Sequence, residues 1–218
     1  MTLKLSDLNE GLQKTGALLS AEQLQCFESF VVELEKWNRK INLTSIREDS
    51  DVCAKHIFDS IMLALKVGCH DSVLDIGSGA GFPAIPIKVM KPLASVMSID
   101  AVGKKIQFQR HVARLLKLSG FSAVHGRVEH MGEELRSRFD VITSRAFSDI
   151  SKFVACAVPM LKPDGRILAM KGTRVDAEID EAREAIEAYG LRIGEIDRFE
   201  LPQHKGERAI VTISFKIK

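Results

Sequence analysis

The sequence predicts an α/β fold with a doubly wound, mostly parallel sheet, preceded by a small helical extension. Two observations predict it. After Asp71, short segments rich in β-branched residues alternate with segments of helical length, and strands joined by helices require parallel pairing with right-handed crossovers. Before Gly68, apolar residues instead recur with helical spacing. We therefore predict a helical N-terminal extension over residues 1–70 and a main domain over residues 71–218.

Composition is that of a globular chain. The chain is 45% hydrophobic and 28% charged. Its 218 residues are enough for one large domain, or for a small domain plus a core domain. The formal charge is only +2, so a polyanionic partner must be held by a local basic patch. The four cysteines are too widely spaced for a CxxC site, and the densest aliphatic stretch, residues 61–65, is too short for a bilayer. We expect a cytoplasmic protein with no signal peptide, membrane span or metal.

Two helices are predicted in the extension. Ser20 is placed as the N-cap of the first, and Gln23 completes a capping box. The second covers residues 51–67, with Asp49 and Ser50 as cap candidates. An apolar stripe on the first helix is interpreted as helix core and not as a cofactor site; it comprises Leu24, Phe27, Val31, Leu34 and Trp37.

Strands and helices alternate in the main domain until its last two strands. The predicted strands cover residues 72–77, 95–100, 121–125, 140–144 and 166–171, and the predicted helices cover residues 83–91, 104–118, 129–137, 150–161 and 175–189. Strands over residues 192–199 and 207–217 are separated by too few residues for a helix. We therefore expect an antiparallel hairpin at the edge of the sheet.

The sharpest local signal is an apolar strand that runs into three glycines and then a helix, residues 73–83 (VLDIGSGAGFP). Gly77, Gly79 and Gly81 allow positive φ and let a ligand approach the backbone closely. Their G-x-G-x-G spacing differs from the G-x-G-x-x-G pattern that places a pyrophosphate at a helix N-terminus. The spacing favours a ligand with no phosphate to place.

An acid and a third loop extend this pattern. Asp100 closes the second predicted strand, where a carboxylate can accept hydrogen bonds from both ribose hydroxyls. Residues 126–129 (GRVE) follow the third strand, where backbone amides or a side chain can meet an adenine edge. An adenosine without a bound phosphate is what S-adenosylmethionine presents. The sequence therefore predicts S-adenosylmethionine as the cofactor.

Five segments carry a family resemblance: residues 37–44 (WNRKINLT), 56–60 (HIFDS), 75–83 (DIGSGAGFP), 141–147 (VITSRAF) and 161–166 (LKPDGR). They resemble the successive signatures of the RsmG (GidB) family of bacterial methyltransferases, which act on N7 of a guanine in 16S ribosomal RNA. The resemblance implies a class I (Rossmann-like) S-adenosylmethionine-dependent methyltransferase fold. Position by position it implies donor contacts at Gly77, Phe82, Val128, Glu129 and Arg145, to which the glycine-loop and strand-end arguments add Gly79 and Asp100.

The residues after the fourth predicted strand indicate which kind of atom accepts the methyl group. Enzymes that methylate exocyclic amines commonly carry N-P-P-Y or D-P-P-Y there, whereas this chain has TSRAF at residues 143–147. A pyrimidine C5 acceptor needs a cysteine nucleophile, and Cys156, in an apolar helix, is interpreted as core. Guanine N7 has a free lone pair, so we expect no catalytic base. His56 is interpreted as a structural partner of Asp59, with catalysis as the alternative.

RNA is expected to meet cations near the cofactor. Arg145, Lys171 and Arg174 are the favoured contacts because strand ends lie on the cofactor's side of the sheet. The expected partner is 16S ribosomal RNA or the small ribosomal subunit, with the guanine in a looped or splayed nucleotide, and we expect a monomer. Further candidate phosphate contacts are Lys36, Arg39, Lys40, Arg47, Lys104 and Lys105. The lysines on helix faces are interpreted as solvated charge.

Three other interpretations remain open at this stage. A nucleotide-dependent oxidoreductase would share the strand, glycine loop and acid but lacks its fingerprint spacing. A ribosome-assembly factor could bind RNA without chemistry. A small-molecule methyltransferase is the nearest competitor if the family resemblance is set aside.

Overall fold

Seven strands form one sheet in the computed structural model, which describes residues 8, 11–13, 15–46, 48–131, 133–145, 147 and 149–216. The strands are β1 (Ser72–Ile76), β2 (Ser95–Asp100), β3 (Phe121–His125), β4 (Phe139–Ser144), β5 (Leu161–Lys171), β6 (Leu191–Glu200) and β7 (Glu207–Phe215). Their order in the sheet is β3-β2-β1-β4-β5-β7-β6. The first five are parallel, and β7 runs antiparallel to both β5 and β6. The predicted doubly wound sheet and its terminal hairpin are confirmed.

Helices precede the sheet and connect its strands. They are α1 (Ala21–Ile41), α2 (Asp49–Val52), α3 (Asp59–Ala64), α4 (Ala84–Met90), α5 (Gly103–Leu115), α6 (Ile150–Ala157) and α7 (Val175–Ala188). A π-helical segment, Cys53–Phe58, joins α2 to α3. Helix α1 begins with the predicted capping box of Ser20 and Gln23. No helix of the described ranges is both long and apolar enough to cross a membrane.

Successive residues of the central strands pack on opposite faces of the sheet, as the two-residue period of a strand requires. On β1, Val73 lies in a cluster with residues of α3 and α4, whereas Leu74 lies in a cluster with residues of α6 and α7. The same division separates Val141 from Ile142 on β4. The molecule therefore has three layers, with α3 and α4 on one face and α6 and α7 on the other.

The N-terminal helices share a core with the glycine-loop side of the sheet. Phe30 of α1 stacks on Phe108 of α5, with ring centroids 6.1 Å apart. Phe30, Phe58 and Phe108 are fully buried and belong to one hydrophobic cluster. The division at residue 70 stays a prediction, but residues on its two sides pack against each other.

One predicted helix, over residues 129–137, is wrong. The structure has a 3₁₀ turn over Val128–His130, and residues 133–137 form turns. Only Leu135 of residues 133–137 is buried, and a segment without an apolar stripe gains too little from packing to sustain a helix.

Strand β5 begins at Leu161, five residues before the predicted start of that strand. Residue 217, the predicted end of the last strand, lies outside the described residues.

Candidate functional site

The loop after β1 forms a cradle at the carboxyl edge of the sheet. Gly77, Gly79 and Gly81 have φ values of 71°, 58° and 92°, in the left-handed region that side chains disfavour. Gly77 N donates a 2.8 Å hydrogen bond to the carbonyl of Ile99, which holds the loop against the end of β2. A Cβ on Gly79 would meet nothing within 4 Å, whereas one on Gly81 would lie 2.5 Å from Ile85 Cδ1. The backbone at Gly79 thus faces open space, while Gly81 allows close packing of α4.

Asp100 lies directly beside this loop. Its Oδ2 accepts a hydrogen bond from Gly79 N at 2.8 Å, and its Oδ1 accepts one from Val102 N at 2.8 Å. These two bonds orient the carboxylate at the end of β2. Each carboxylate oxygen has a second lone pair, so the group can still accept hydrogen bonds from ligand hydroxyls.

The loop after β3 reaches the same edge. Gly126 N donates to the carbonyl of Asp100 at 3.1 Å, which joins this loop to the end of β2. Val128 is buried and Glu129 is exposed. The carboxyl ends of β1, β2 and β3 thus bring Gly79, Asp100 and residues 126–129 to one edge of the sheet.

Asp75, on β1 beneath the loop, is a site feature that our sequence reasoning did not single out. It is fully buried; its Oδ2 accepts from Ala84 N at 3.2 Å, and its Oδ1 has no hydrogen-bond partner among the residues that the structure describes. Burial raises the pKa of this carboxyl to about 7, against the hydrogen bond from Ala84, which lowers it. The sequence signal that could have identified Asp75 is an acidic residue inside an otherwise apolar strand.

Gln109, on α5, is a second missed residue and ties the loop to the sheet. Its Nε2 donates to Ser78 Oγ at 2.7 Å and to the carbonyl of Gly79 at 2.8 Å. Its Oε1 accepts from Ser98 Oγ of β2 at 2.5 Å. The amide is fully buried, so these three bonds account for its presence in the core. A single glutamine on a helix carries no sequence signal for this role.

Arg145 follows β4 and is held by the helical run before the sheet. Its Nη2 donates to the carbonyl of Lys55, in the π-helical segment, at 2.8 Å and to His56 Nδ1 at 3.1 Å. Its Nη2 lies 3.7 Å from Asp59 Oδ2, and its Nη1 is buried with no hydrogen-bond partner in the described part of the chain. Burial lowers the pKa of Arg145, while Asp59 and Asp75 oppose that shift. The side chain is thus anchored at one nitrogen and has donor capacity left at the other.

His56 is a neutral hydrogen-bonding partner in this arrangement. A guanidinium only donates, so Nδ1 of His56 accepts from Arg145 and the ring proton lies on Nε2, 3.0 Å from Thr44 Oγ1. Burial and then the charge of Arg145 lower the histidine pKa to about 3. The ring stacks on Phe82 with centroids 4.4 Å apart. This geometry agrees with a structural role for His56, but its hydrogen-bond partner is Arg145 and not the expected Asp59.

Two cavities meet at Arg145. One, of about 200 Å³, lies along the glycine loop and is lined by Leu43, Thr44, His56, Gly77, Ser78, Gly79, Ala80, Phe82 and Arg145. The other, of about 450 Å³, is polar and is lined by Asp59, Arg145, Phe147, Met170, Lys171, Gly172, Arg174, Glu178, Glu181 and Arg208. A ligand on the loop and a second ligand in the polar cavity would both reach Arg145.

Lys171 departs from its expected position. The sequence predicts it as an RNA contact at a strand end, but it is buried, pairs with Glu178 at 2.7 Å and donates to the carbonyl of Phe147 at 3.0 Å. The β5 strand ends inside the polar cavity, so the last residue of the strand turns inward. Arg174 is exposed, as expected of an RNA contact. Arg47 lies outside the described residues.

Metal ligands are not assembled in the described ranges, where no three His, Cys, Asp or Glu side chains are close enough to hold an ion.

A parallel sheet with a glycine loop after β1, an acid at the end of β2 and an antiparallel β7 inserted between β5 and β6 defines a class I, Rossmann-like methyltransferase. The family model for GidB, rRNA small subunit methyltransferase G, matches residues 23–206. The chain belongs to this family.

Relatives agree with this family assignment, and a solved structure agrees with the fold. The chain is 46% identical over 206 residues to ribosomal RNA small subunit methyltransferase G of Geobacter sp. (strain M21), covering 94% of this chain and 95% of that one. It is 38% identical to the protein of that name in Staphylococcus carnosus (strain TM300), covering 97% and 90%. Its fold is similar to that of a SAM-dependent methyltransferase from Aquifex aeolicus, with a TM-score of 0.57 at 17% identity over 79% of this chain and 96% of that one.

Proposed function

We propose that this protein transfers the methyl group of S-adenosylmethionine to N7 of a guanine in 16S ribosomal RNA of the small ribosomal subunit. The observation that carries the proposal is the meeting of two cavities at Arg145, one along a glycine loop suited to an adenosine and one polar. The names of the relatives and of the family support the substrate class.

The donor is assigned to the glycine-loop cavity. Gly77 and Gly79 line this cavity and leave the backbone open to the donor. Asp100, Val128 and Glu129 lie outside its lining at the same edge of the sheet, and we assign Asp100 to the ribose hydroxyls and Val128 and Glu129 to the adenine. Phe82, between His56 and Phe30, forms an apolar wall. The unpartnered Oδ1 of Asp75 beneath the loop suits a ligand that carries positive charge.

The acceptor is assigned to the polar cavity, where Arg145 lies between the two ligands. When bound, S-adenosylmethionine supplies an activated methyl group: the sulfur–methyl bond breaks as the N7–methyl bond forms, and the sulfonium charge passes to the guanine. No proton moves in this step, so no side chain has to accept one. The chain's contribution is to align the two ligands and exclude water, which accounts for much of the rate enhancement in such transfers.

The test is methylation of transcribed 16S ribosomal RNA and of purified small subunits from cells that lack this enzyme. We expect 7-methylguanosine in nuclease digests, detected by mass spectrometry. A small-molecule methyltransferase would leave both RNA substrates unmodified and would consume donor only when a small acceptor is added, and a non-catalytic assembly factor would bind RNA without consuming donor. Either result would overturn the proposal.

Donor placement is tested separately with Asp100→Ala. Charge-assisted hydrogen bonds contribute about 1.5–3 kcal/mol each, so we expect affinity for S-adenosylhomocysteine to fall about ten- to a hundredfold by calorimetry. Asp164→Ala, which removes an exposed acid lining a different cavity, is the matched control and should bind normally. Unchanged affinity in Asp100→Ala would remove this residue from the site.

A cytoplasmic location and a monomeric state belong to the same proposal. The substrate named for the relatives is a component of the small ribosomal subunit, which supports the location. Sedimentation equilibrium of the purified protein tests the monomer: a mass above that of the 24.2 kDa chain would contradict it.

A further inference from the structure

Residues 101–128 form an acid-free stretch of the chain. They contain six lysines and arginines and no aspartate or glutamate, although the whole chain carries a formal charge of only +2. Positive charge is therefore concentrated in one segment and offset elsewhere. This segment contains α5 and the turns at both of its ends.

Five of these six cations lie on α5 or in the turn that follows it. The inner face is buried against α1, where Phe108 packs on Phe30 and Trp37. Lys104, Arg114 and Lys117 are exposed, and none of the three makes a salt bridge within the part of the chain that the structure describes. We call these three residues, with the exposed Arg110 and the half-buried Lys105, the α5 basic surface.

The α5 basic surface begins at the cofactor edge of the molecule. Helix α5 starts three residues after Asp100, and its 13 residues extend about 20 Å away from that edge. Trp37 of α1 contacts both Phe108 and His111. The last turn of α1 carries a further exposed cation, Lys40.

The other flank of the molecule has the opposite charge. Helix α7, on the other face of the sheet, contains six acids and only one basic residue, Arg183. Three of its acids pair with neighbouring cations: Glu178 with Lys171, Asp176 with Arg198 and Asp180 with Arg183. A polyanion approaching Arg174 from this side would meet a net negative surface.

We propose that the RNA backbone lies along the α5 basic surface while the target guanine enters the polar cavity at Arg145. This inference rests on the proposed function, because it concerns how the same RNA substrate is held. Arg174, next to α7, then contacts at most the local backbone of the target nucleotide. The α5 basic surface supplies the general affinity for phosphates.

The experiment compares two triple variants of the full chain. The test variant is Lys104→Gln, Arg114→Gln and Lys117→Gln. The matched control removes the same charge from exposed residues elsewhere, with Arg136→Gln, Lys152→Gln and Arg183→Gln. Affinity for transcribed 16S ribosomal RNA is measured without donor over a range of salt concentrations.

Each phosphate contact contributes about 0.7–0.9 to the slope of log affinity against log salt. We therefore expect the test variant to lower that slope by about 2 and to bind RNA at least tenfold more weakly in 0.1 M salt. The control should keep the wild-type slope. Affinity for S-adenosylhomocysteine and the melting temperature should be unchanged in both variants.

An unchanged slope in the test variant, or equal losses in both variants, would overturn the inference. Lys117 has a left-handed backbone with φ of 51°, so the double variant Lys104→Gln and Arg114→Gln provides a second comparison if the triple variant is unstable. These binding results are independent of catalysis. A failure to methylate 16S RNA with the predicted slope change would count against the proposed function alone.

Discussion

At the scale of single residues, Asp75 and Asp100 lie on adjacent strands, and their positions on those strands give the two carboxylates different hydrogen-bond partners. Asp100 ends β2, where two backbone amides donate to it. Asp75 lies inside β1, where Ala84 N donates to one oxygen and the other has no partner. Burial without full hydrogen bonding favours the neutral acid and raises the pKa of Asp75 to about 7.

Asp75→Asn tests this charge state through the pH dependence of stability. Because the folded-state pKa of Asp75 is raised to about 7 from about 3.9 in an unfolded chain, the folded protein binds more protons than the unfolded protein between those values. Its contribution to stability therefore falls as pH rises through this window. The asparagine can still accept from Ala84 N but does not ionise.

We expect the free energy of unfolding of Asp75→Asn, relative to wild type, to rise by up to about 4 kcal/mol between pH 4 and pH 8. Urea titrations at several pH values measure this difference. Asp164→Asn, which makes the same change at an exposed site, is the matched control. A difference between Asp75→Asn and wild type that does not vary with pH would show that Asp75 has an ordinary pKa in the folded state.

His56→Gln tests whether the histidine serves as a base. With a pKa lowered to about 3 and its free nitrogen accepting from Arg145, His56 is neutral and occupied across pH 6–9. We expect the variant to lower the single-turnover methylation rate by the same factor at every pH, because alignment of Arg145 suffers. A wild-type rate that rises tenfold per pH unit near pH 6.5, and loses this rise in the variant, would make His56 the base.

At the scale of elements, the glycine loop depends on α5 as well as on β1. Gln109 joins the loop to Ser98 of β2 through three buried hydrogen bonds. An unsatisfied buried polar group costs about 1–3 kcal/mol, so the loop and the serine on β2 both lose stability if this amide is removed. We infer that Gln109 is a positioning residue for the donor cradle.

Gln109→Leu is expected to weaken binding of S-adenosylhomocysteine about tenfold and to raise the KM for donor, with kcat at saturating donor retained. The reason is that the loop must be ordered again on binding once Gly79 O and Ser78 Oγ lose their donor. Gln107→Leu, on the exposed face of the same helix, is the control and should leave both values unchanged. If Gln109→Leu lowered only the melting temperature, its role would be structural alone.

At the scale of the whole molecule, the helices before residue 70 pack against the main domain through shared aromatic side chains. Phe30 of α1 contacts Phe82 and Phe108, with ring centroids 4.8 Å and 6.1 Å apart. A core shared in this way couples the unfolding of the two regions. We therefore expect a single calorimetric transition.

Phe30→Ala tests this coupling. Loss of a buried phenylalanine costs about 3–5 kcal/mol, and we expect the whole transition to shift to lower temperature without splitting. Phe153→Ala, buried in the cluster on the opposite face of the sheet, should shift the same transition. Two transitions, of which only one responds to Phe30→Ala, would show that the N-terminal extension unfolds on its own.

Much of the fold could be predicted from local patterns. Strand and helix order, the Ser20 cap and the terminal hairpin follow from periodicity, capping chemistry and connection length, which act over a few neighbouring residues. The wrong helix over residues 129–137 shows the limit of such patterns. Helix formers are present there, but only a packed apolar stripe would have sustained a helix.

By itself, the sequence determined the sheet, the glycine loop and the family, because each depends on residues that are close together in the chain. Only the tertiary structure decided how His56, Arg145 and Asp59 combine, why Gln109 is buried and that Lys171 turns inward to Glu178. It also separated the basic surface of α5 from the acidic surface of α7. These features join residues up to about ninety positions apart, and the electrostatic and hydrogen-bond energies that govern them depend on distance and burial in space.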